Sequence, residues 1–193
     1  MLKLLLTIGC ALLLPLLSAP AAAQASPVGI HGFIVDSALP AVVQPCRPRE
    51  KFLCLHLLEE NWNGVKGDTL VSYANPQPDE FLGSSVSLMV VHKRKKVRIV
   101  AATTRGASEQ RRILAELTKR HGKPEQVVER NIRLTASGPK HAYLMARWDL
   151  PGGEVCFHGV LPPEKNAKEP ARQGRIYYSS RSLRGTTNCI LSL

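Results

Sequence analysis

Ser85 to Pro124 reads SVSLMVVHKRKKVRIVAATTRGASEQRRILAELTKRHGKP, and the rest of the chain is best read outward from it. Val86, Leu88 and Val90 alternate with Ser87, Met89 and Val91, and after four basic residues Val97, Ile99 and Ala101 alternate with Arg98, Val100 and Ala102. Two runs of period two around a polar break predict an antiparallel hairpin. A turn over Lys93-Arg94-Lys95-Lys96 pairs Val90 with Ile99, Leu88 with Ala101 and Val86 with Thr103, which gathers the more apolar sets on one face. No Asn-Gly or Gly-X signal marks a tight turn, and Lys93 opposite Lys96 would repel, so a four-residue loop with a solvated basic tip is expected.

The second half of the run predicts a helix over about residues 108–121. Ser108 is suited to the N-cap, where its hydroxyl can accept a bond from an unpaired first-turn N–H. Ile113, Leu114 and Leu117 form a narrow apolar stripe, and Glu116 stands one turn from Arg112 and Arg120. Lys119, Arg120 and His121 sit where cations suit the helix dipole, Gly122 can adopt positive φ, and Pro124 prevents continuation.

Residues 1–25 read as a cleavable signal peptide, with Lys3 as the positive region, Leu4 to Leu17 as the apolar region and Ala23-Gln24-Ala25 as the cleavage site. Residues 26–193 then form a single disulfide-stabilised domain with no transmembrane anchor, in the periplasm or secreted. Four cysteines remain, Cys46, Cys54, Cys156 and Cys189, and an even count in an exported chain predicts two disulfides. Closeness in sequence favours Cys46 with Cys54 and Cys156 with Cys189, each adding about 2 to 4 kcal/mol by the loop-entropy argument.

Elsewhere, Ile30 to Ile34 suggests a short edge strand, Ser37 to Gln44 a short helix, Lys51 to Leu58 a buried strand and Thr69 to Tyr73 another, before a loop at Asn75 to Pro78. Residues 125–141 are polar and carry no clear pattern. A second hairpin spans Tyr143 to Val160 across Pro151-Gly152-Gly153, with Trp148 opposite Val155 and Ala146 opposite Phe157. Leu161 to Gln173 reads as a solvated loop, Arg175 to Ser179 as the last strand, and Asn188 to Leu193 as a tail held by Cys189. The fold class expected is α+β: an antiparallel sheet built from hairpins, packed on one face by the central helix.

The combination of an export signal, a hairpin, a helix ending Leu117-Thr-Lys-Arg-His121-Gly-Lys-Pro124, a hairpin bearing Trp148 and a Tyr-Tyr-Ser strand resembles families of small uncharacterised bacterial exported proteins. The likeness covers about residues 86–181. Those families often show Lys-Tyr-Gly-x-Pro at the helix end, and His121 departs from that pattern. The resemblance implies a periplasmic α+β domain and carries over no catalytic residue.

No catalytic, cofactor or metal site is expected. His56-Leu-Leu-Glu59-Glu60 lacks the second histidine of a zinc motif and reads as a strand end. Cys156 and His158 share a strand face, yet an exported cysteine is better read as half of a disulfide than as a nucleophile. Gly-x-Ser-x-Gly and phosphate-binding glycine patterns are absent, and His31, His92, His121 and His141 are dispersed. The remaining signal is charge: without Lys3 the chain has 25 Lys plus Arg against 15 Asp plus Glu, a formal +10. Lys93, Arg94, Lys95, Lys96 and Arg98 are its densest cluster and the candidate anion-binding group, with a solvated tip as the plainer reading. Sequence-specific nucleic-acid binding lacks any accompanying aromatic pattern. These readings favour an exported, non-catalytic envelope protein that binds a protein partner, as an inhibitor or accessory factor. A basic binder of anionic envelope polymers or lipids comes second, and an envelope hydrolase with a dispersed site third.

Overall fold

The computed structural model describes residues 27–133, 140–160 and 173–183. The strands are β1 (Gly29–Ile30), β2 (Phe33–Ile34), β3 (Leu55–Glu60), β4 (Asp68–Pro78), β5 (Ser85–Lys93), β6 (Lys96–Thr104), β7 (Gln126–Arg133), β8 (Lys140–Leu150), β9 (Gly153–His158) and β10 (Gly174–Ser179). The helix α1 (Gln110–His121) stands between β6 and β7. β3 to β10 form one eight-stranded sheet in the order β3-β4-β5-β6-β10-β9-β8-β7, and every neighbouring pair is antiparallel. The expected α+β class is therefore observed, with β1 and β2 as a separate small hairpin.

The sheet is two meanders joined by β10. Ile176 lies between Ala102 of β6 and Phe157 of β9, and Tyr178 lies between Val100 and Val155. The second hairpin has the expected register, Trp148 with Val155 and Ala146 with Phe157. All six residues of β9 are buried, as a central strand requires.

The first hairpin differs from expectation by one residue. Lys93 pairs with Lys96 and His92 with Val97, but Arg98 is then bulged out, so Val91 faces Ile99, Val90 faces Val100 and Leu88 faces Ala102. The bulge puts Val86, Leu88 and Val90 on one apolar face with Val97, Val100 and Ala102, which strict alternation from the turn cannot do. The turn is also tighter than expected, because only Arg94 and Lys95 lie between the paired lysines. Both have positive φ, 49° and 62°, the geometry of a type I′ turn without its usual Asn-Gly. Their strain is tolerated because residues 36–39 clamp the tip: Leu39 N–H donates to the Lys95 carbonyl at 2.8 Å, and Ala38 bridges Lys96.

One face of the sheet carries the main core. Ile113 and Leu117 of α1 pack there with Trp148, Phe157, Ile176 and Tyr178, together with Phe33 of the small hairpin and Leu82 of the loop after β4. The helix starts two residues later than predicted, and Ser108 belongs to a preceding 3₁₀ turn, Gly106–Ser108. Its hydroxyl donates to the Arg105 carbonyl at 3.4 Å and does not cap α1. Glu109 stands before the first turn instead, paired to Arg105 and Arg112. Arg112, expected to pair with Glu116, also donates to the Phe81 carbonyl at 3.0 Å and so ties the helix to the loop after β4. Gly122 ends the helix at φ 81°, as predicted, and its carbonyl accepts a 2.8 Å bond from Trp148 Nε1–H.

Several weaker expectations fail for identifiable reasons. Ser37 to Gln44 forms bends and a Pro40 to Val43 turn, because its backbone bonds to the Lys95–Val97 segment replace helical ones. Ile30 to Ile34 is folded back on itself at His31-Gly32, where both residues have positive φ. The Asn75 to Pro78 stretch continues β4 through an irregularity, and the patternless 125–141 region supplies the edge strand β7. The expected Cys46–Cys54 disulfide is present, whereas Cys189, the 1–26 segment and most of the 161–173 loop lie outside the described residues. Among the described residues no helix is long and apolar enough to cross a membrane.

The strained turn leads to a prediction. Replacing Arg94 by Asn together with Lys95 by Gly should raise the denaturation midpoint, with a gain of about 1 kcal/mol after allowing for the added freedom of the unfolded chain. Urea unfolding measures this, and an unchanged or lower midpoint would refute the strain argument.

Candidate functional sites at a sheet edge and a pocket

β3 is an end strand, and it is unusually apolar on its outside. Leu57 and Leu58 are 58% and 53% exposed, and Phe52 and Leu53 just before it are 53% and 58% exposed. The sequence reading of a buried strand is corrected here: only Cys54 and Leu55 of the segment are buried. Hydrophobic composition alone could not distinguish a core strand from an open apolar edge. Gln44 and Cys46 take the outer backbone groups of Leu55, through bonds of 2.9 and 3.0 Å. Further along, the ladder to β4 is interrupted between Leu57 and Glu59, and Glu59 and Glu60 close the strand with negative charge. Bulges and charges are the usual protection of an exposed edge, but here four large apolar side chains stand exposed beside them.

A second feature is a cavity of about 270 Å³ between the β1–β2 turn, the loop after β4 and the last turn of α1. His31 Nε2 lies 3.3 Å from Asp79 Oδ2. The other carboxylate oxygen, Oδ1, accepts the Leu82 N–H at 2.6 Å, so the aspartate is held from both sides. Arg120 lies 4.1 Å above the Phe81 ring centre, with its guanidinium facing the same space. A histidine, an orienting carboxylate and a cation thus converge where the sequence showed only dispersed residues. The signal was unreadable because His31 and Asp79 lie in separate turns that meet only in the folded chain.

The opposite face of the sheet carries a buried polar group. Glu154 is ion-paired to Arg147, Nε to Oε2 at 2.9 Å, and the Tyr143 hydroxyl is 2.9 Å from His158 Nδ1. Burial pushes the Tyr143 phenol up from its ordinary 10.0 to about 12, with Tyr177 adding to the effect and Arg130 opposing it. Cys156 is buried on the same face, two residues from His158 along β9. These contacts join β8 to β9 on that face, and the Tyr177 ring of β10 lies edge-on to His158 at 5.7 Å between ring centres.

The five candidate anion-binding residues separate on inspection. Lys93 Nζ is 3.9 Å from Asp68 Oδ1, and Lys96 Nζ is 3.4 Å from Asp36 Oδ1. Arg98, in the bulge, donates through Nη2 to Ser182 Oγ at 3.3 Å. Arg94 and Lys95 alone of the five are left exposed without such a partner among the described residues. The aspartates lie 25 and 60 positions before their lysines and leave no mark within the charge run itself. Gln110 is a further residue the sequence did not single out: its amide donates to the Ala142 carbonyl and accepts from the Leu144 N–H, joining α1 to β8.

The remaining histidines are structural in their surroundings. His92 is held below its usual range mainly by burial, with Asp68 opposing. His121 lies edge-on to Trp148 and Tyr178, at 6.4 and 6.1 Å between ring centres, and neither ring nitrogen has a hydrogen-bond partner among the described residues. The side chain of His141 lies outside those described. Comparison of the chain with protein-family models, with curated proteins and with solved structures found no match.

His121 supplies a pH prediction. Burial, with Arg120 second, lowers its pKa below the ordinary 6.5, so folding favours the neutral ring. The unfolded chain therefore binds the proton more tightly, and stability falls as pH drops below the unfolded value and through the folded one. His121→Phe, which keeps the ring packing, should lose less stability than the parent between about pH 7 and about pH 5. Thermal melts across that range decide the matter; parallel curves for the two proteins would remove His121 as the cause.

Proposed function

We propose that the chain is an exported, non-catalytic bacterial envelope protein that binds a protein partner along β3, as an inhibitor or accessory factor. The observation carrying this reading is that Phe52 and Leu53 just before β3, and Leu57 and Leu58 within it, are all more than half exposed at one end of the eight-stranded sheet. The occupant that suits such an edge is an extended partner segment, whose backbone pairs with the strand while its side chains cover the leucines. Glu59 and Glu60 favour a basic residue at one end of that segment. In this reading residues 1–25 are removed on export, and a second bridge, Cys156 to Cys189, accompanies the Cys46–Cys54 disulfide.

Immobilised protein should recover a stoichiometric partner from envelope extract of its host, and the complex should persist at high salt because apolar contact is not screened. Leu57→Lys with Leu58→Lys should abolish recovery, and the partner should protect β3 amides from hydrogen exchange. Binding that disappears at high salt, and that is lost in the Arg94→Asn, Lys95→Gly protein but kept in the leucine variant, would instead establish the anionic-polymer reading.

A second reading, an envelope hydrolase, is favoured by the pocket of His31, Asp79 and Arg120. A carboxylate-oriented imidazole can take a proton from water, and a fixed guanidinium can stabilise the developing anion. Ester or phosphodiester hydrolysis that vanishes in His31→Gln would support it. Equal background turnover by parent and variant would dismiss it.

A further inference from the structure

We propose that Cys46, Cys54 and His56 form a binding site for a soft, thiophilic metal ion when the Cys46–Cys54 disulfide is reduced. The one potential ligand atom of each residue lies within 4.8 Å of the other two. This convergence is built by the backbone. Cys54 closes the bend just before β3 and His56 is the second residue of that strand, so the two flank Leu55. The parallel bridge of Pro45 with Leu55 sets Cys46 level with His56 on the adjoining segment. Two backbone bonds, Cys46 N–H to the Leu55 carbonyl and Leu55 N–H to the Gln44 carbonyl, hold the segments together without help from the disulfide.

Reduction therefore leaves the two sulfurs as neighbours. A thiol reductant transfers two electrons and two protons to the disulfide and is itself oxidised to a disulfide. The sulfurs then need to separate only to the spacing of two ligands around one ion. Metal binding releases the two thiol protons and gives two thiolates and one imidazole nitrogen. Thiolate donors select Cu⁺ and Zn²⁺ over hard cations. Three donors suit Cu⁺ directly, whereas Zn²⁺ would complete a tetrahedron with water. Cys54 is buried, and Cys46 and His56 are half-buried, so the site is shielded yet open to entry. The sequence signal was masked because His56 was read with Glu59 and Glu60 instead of with the cysteines on its other side.

The full mature chain would be reduced by a thiol, desalted without oxygen, and titrated separately with Zn²⁺ and with Cu⁺ against a chromophoric chelator, with far-UV circular dichroism recorded alongside. One equivalent should bind to the reduced protein and none to the oxidised protein. Cys46→Ser with Cys54→Ser should abolish binding, which separates this site from any other reduced thiol, and His56→Gln should weaken it by at least about tenfold. The proposal is overturned by binding that survives in the double serine variant, by equal affinity in His56→Gln, or by reduced protein that binds nothing. Loss of the fold on reduction overturns it too, because the donors must be held by the strands.

Discussion

Everything in this fold depends on the pairing of β10 with both β6 and β9. The first meander, β3 to β6, and the second, β7 to β9, are each built from hairpins local in sequence. Neither completes a core alone, because Ile176 and Tyr178 of β10 fill the row between Ala102 and Val100 on one side and Phe157 and Val155 on the other. Until residues 174–179 arrive, β6 and β9 are both unpaired edges. The helix spans the gap from above, with Ile113 and Leu117 packed into the same cluster. Loop closure over such separations is entropically unfavourable, so the ladder of β10 has to be strong, and its two fully buried apolar residues make it so.

What could be read from the sequence divides along the same line. Trp148 against Val155 was legible because Pro151-Gly152 fixed a short turn and both flanking runs alternated cleanly. Val90 against Val100 was not, since a bulge at Arg98 leaves no mark in composition and shifts every pair beyond it. Arg94-Lys95 carried none of the residues that a type I′ turn prefers, because the turn is stabilised from outside by Leu39 and Ala38. β7 was missed since an edge strand laced with Glu129, Arg130 and Asn131 has the polarity of a loop. The α+β class, the helix stop at Gly122 and the Cys46–Cys54 bridge survived because each rests on local chemistry.

The candidate sites were less legible than the fold, again for a physical reason. Short-range order in the sequence singles out the Lys93 to Arg98 cluster, yet Asp68 at the start of β4 and Asp36 just after β2 pair with two of its lysines. Conversely, His31 and Asp79 meet only in the folded chain, as do Cys46 and His56. The leucines of β3 looked like core because burial was inferred from hydrophobicity. Their exposure is a property of strand order, which places β3 last.

The two ends of the sheet differ in the chemistry they expose. β3 ends in exposed leucines, whereas β7 carries charged residues, with Glu129 paired to Arg111 at 2.8 Å. A head-to-tail filament needs two complementary edges on every subunit. An extended segment approaching β3 meets exposed leucines, whereas one approaching β7 meets charged side chains beside Val127, so the two edges are chemically unlike.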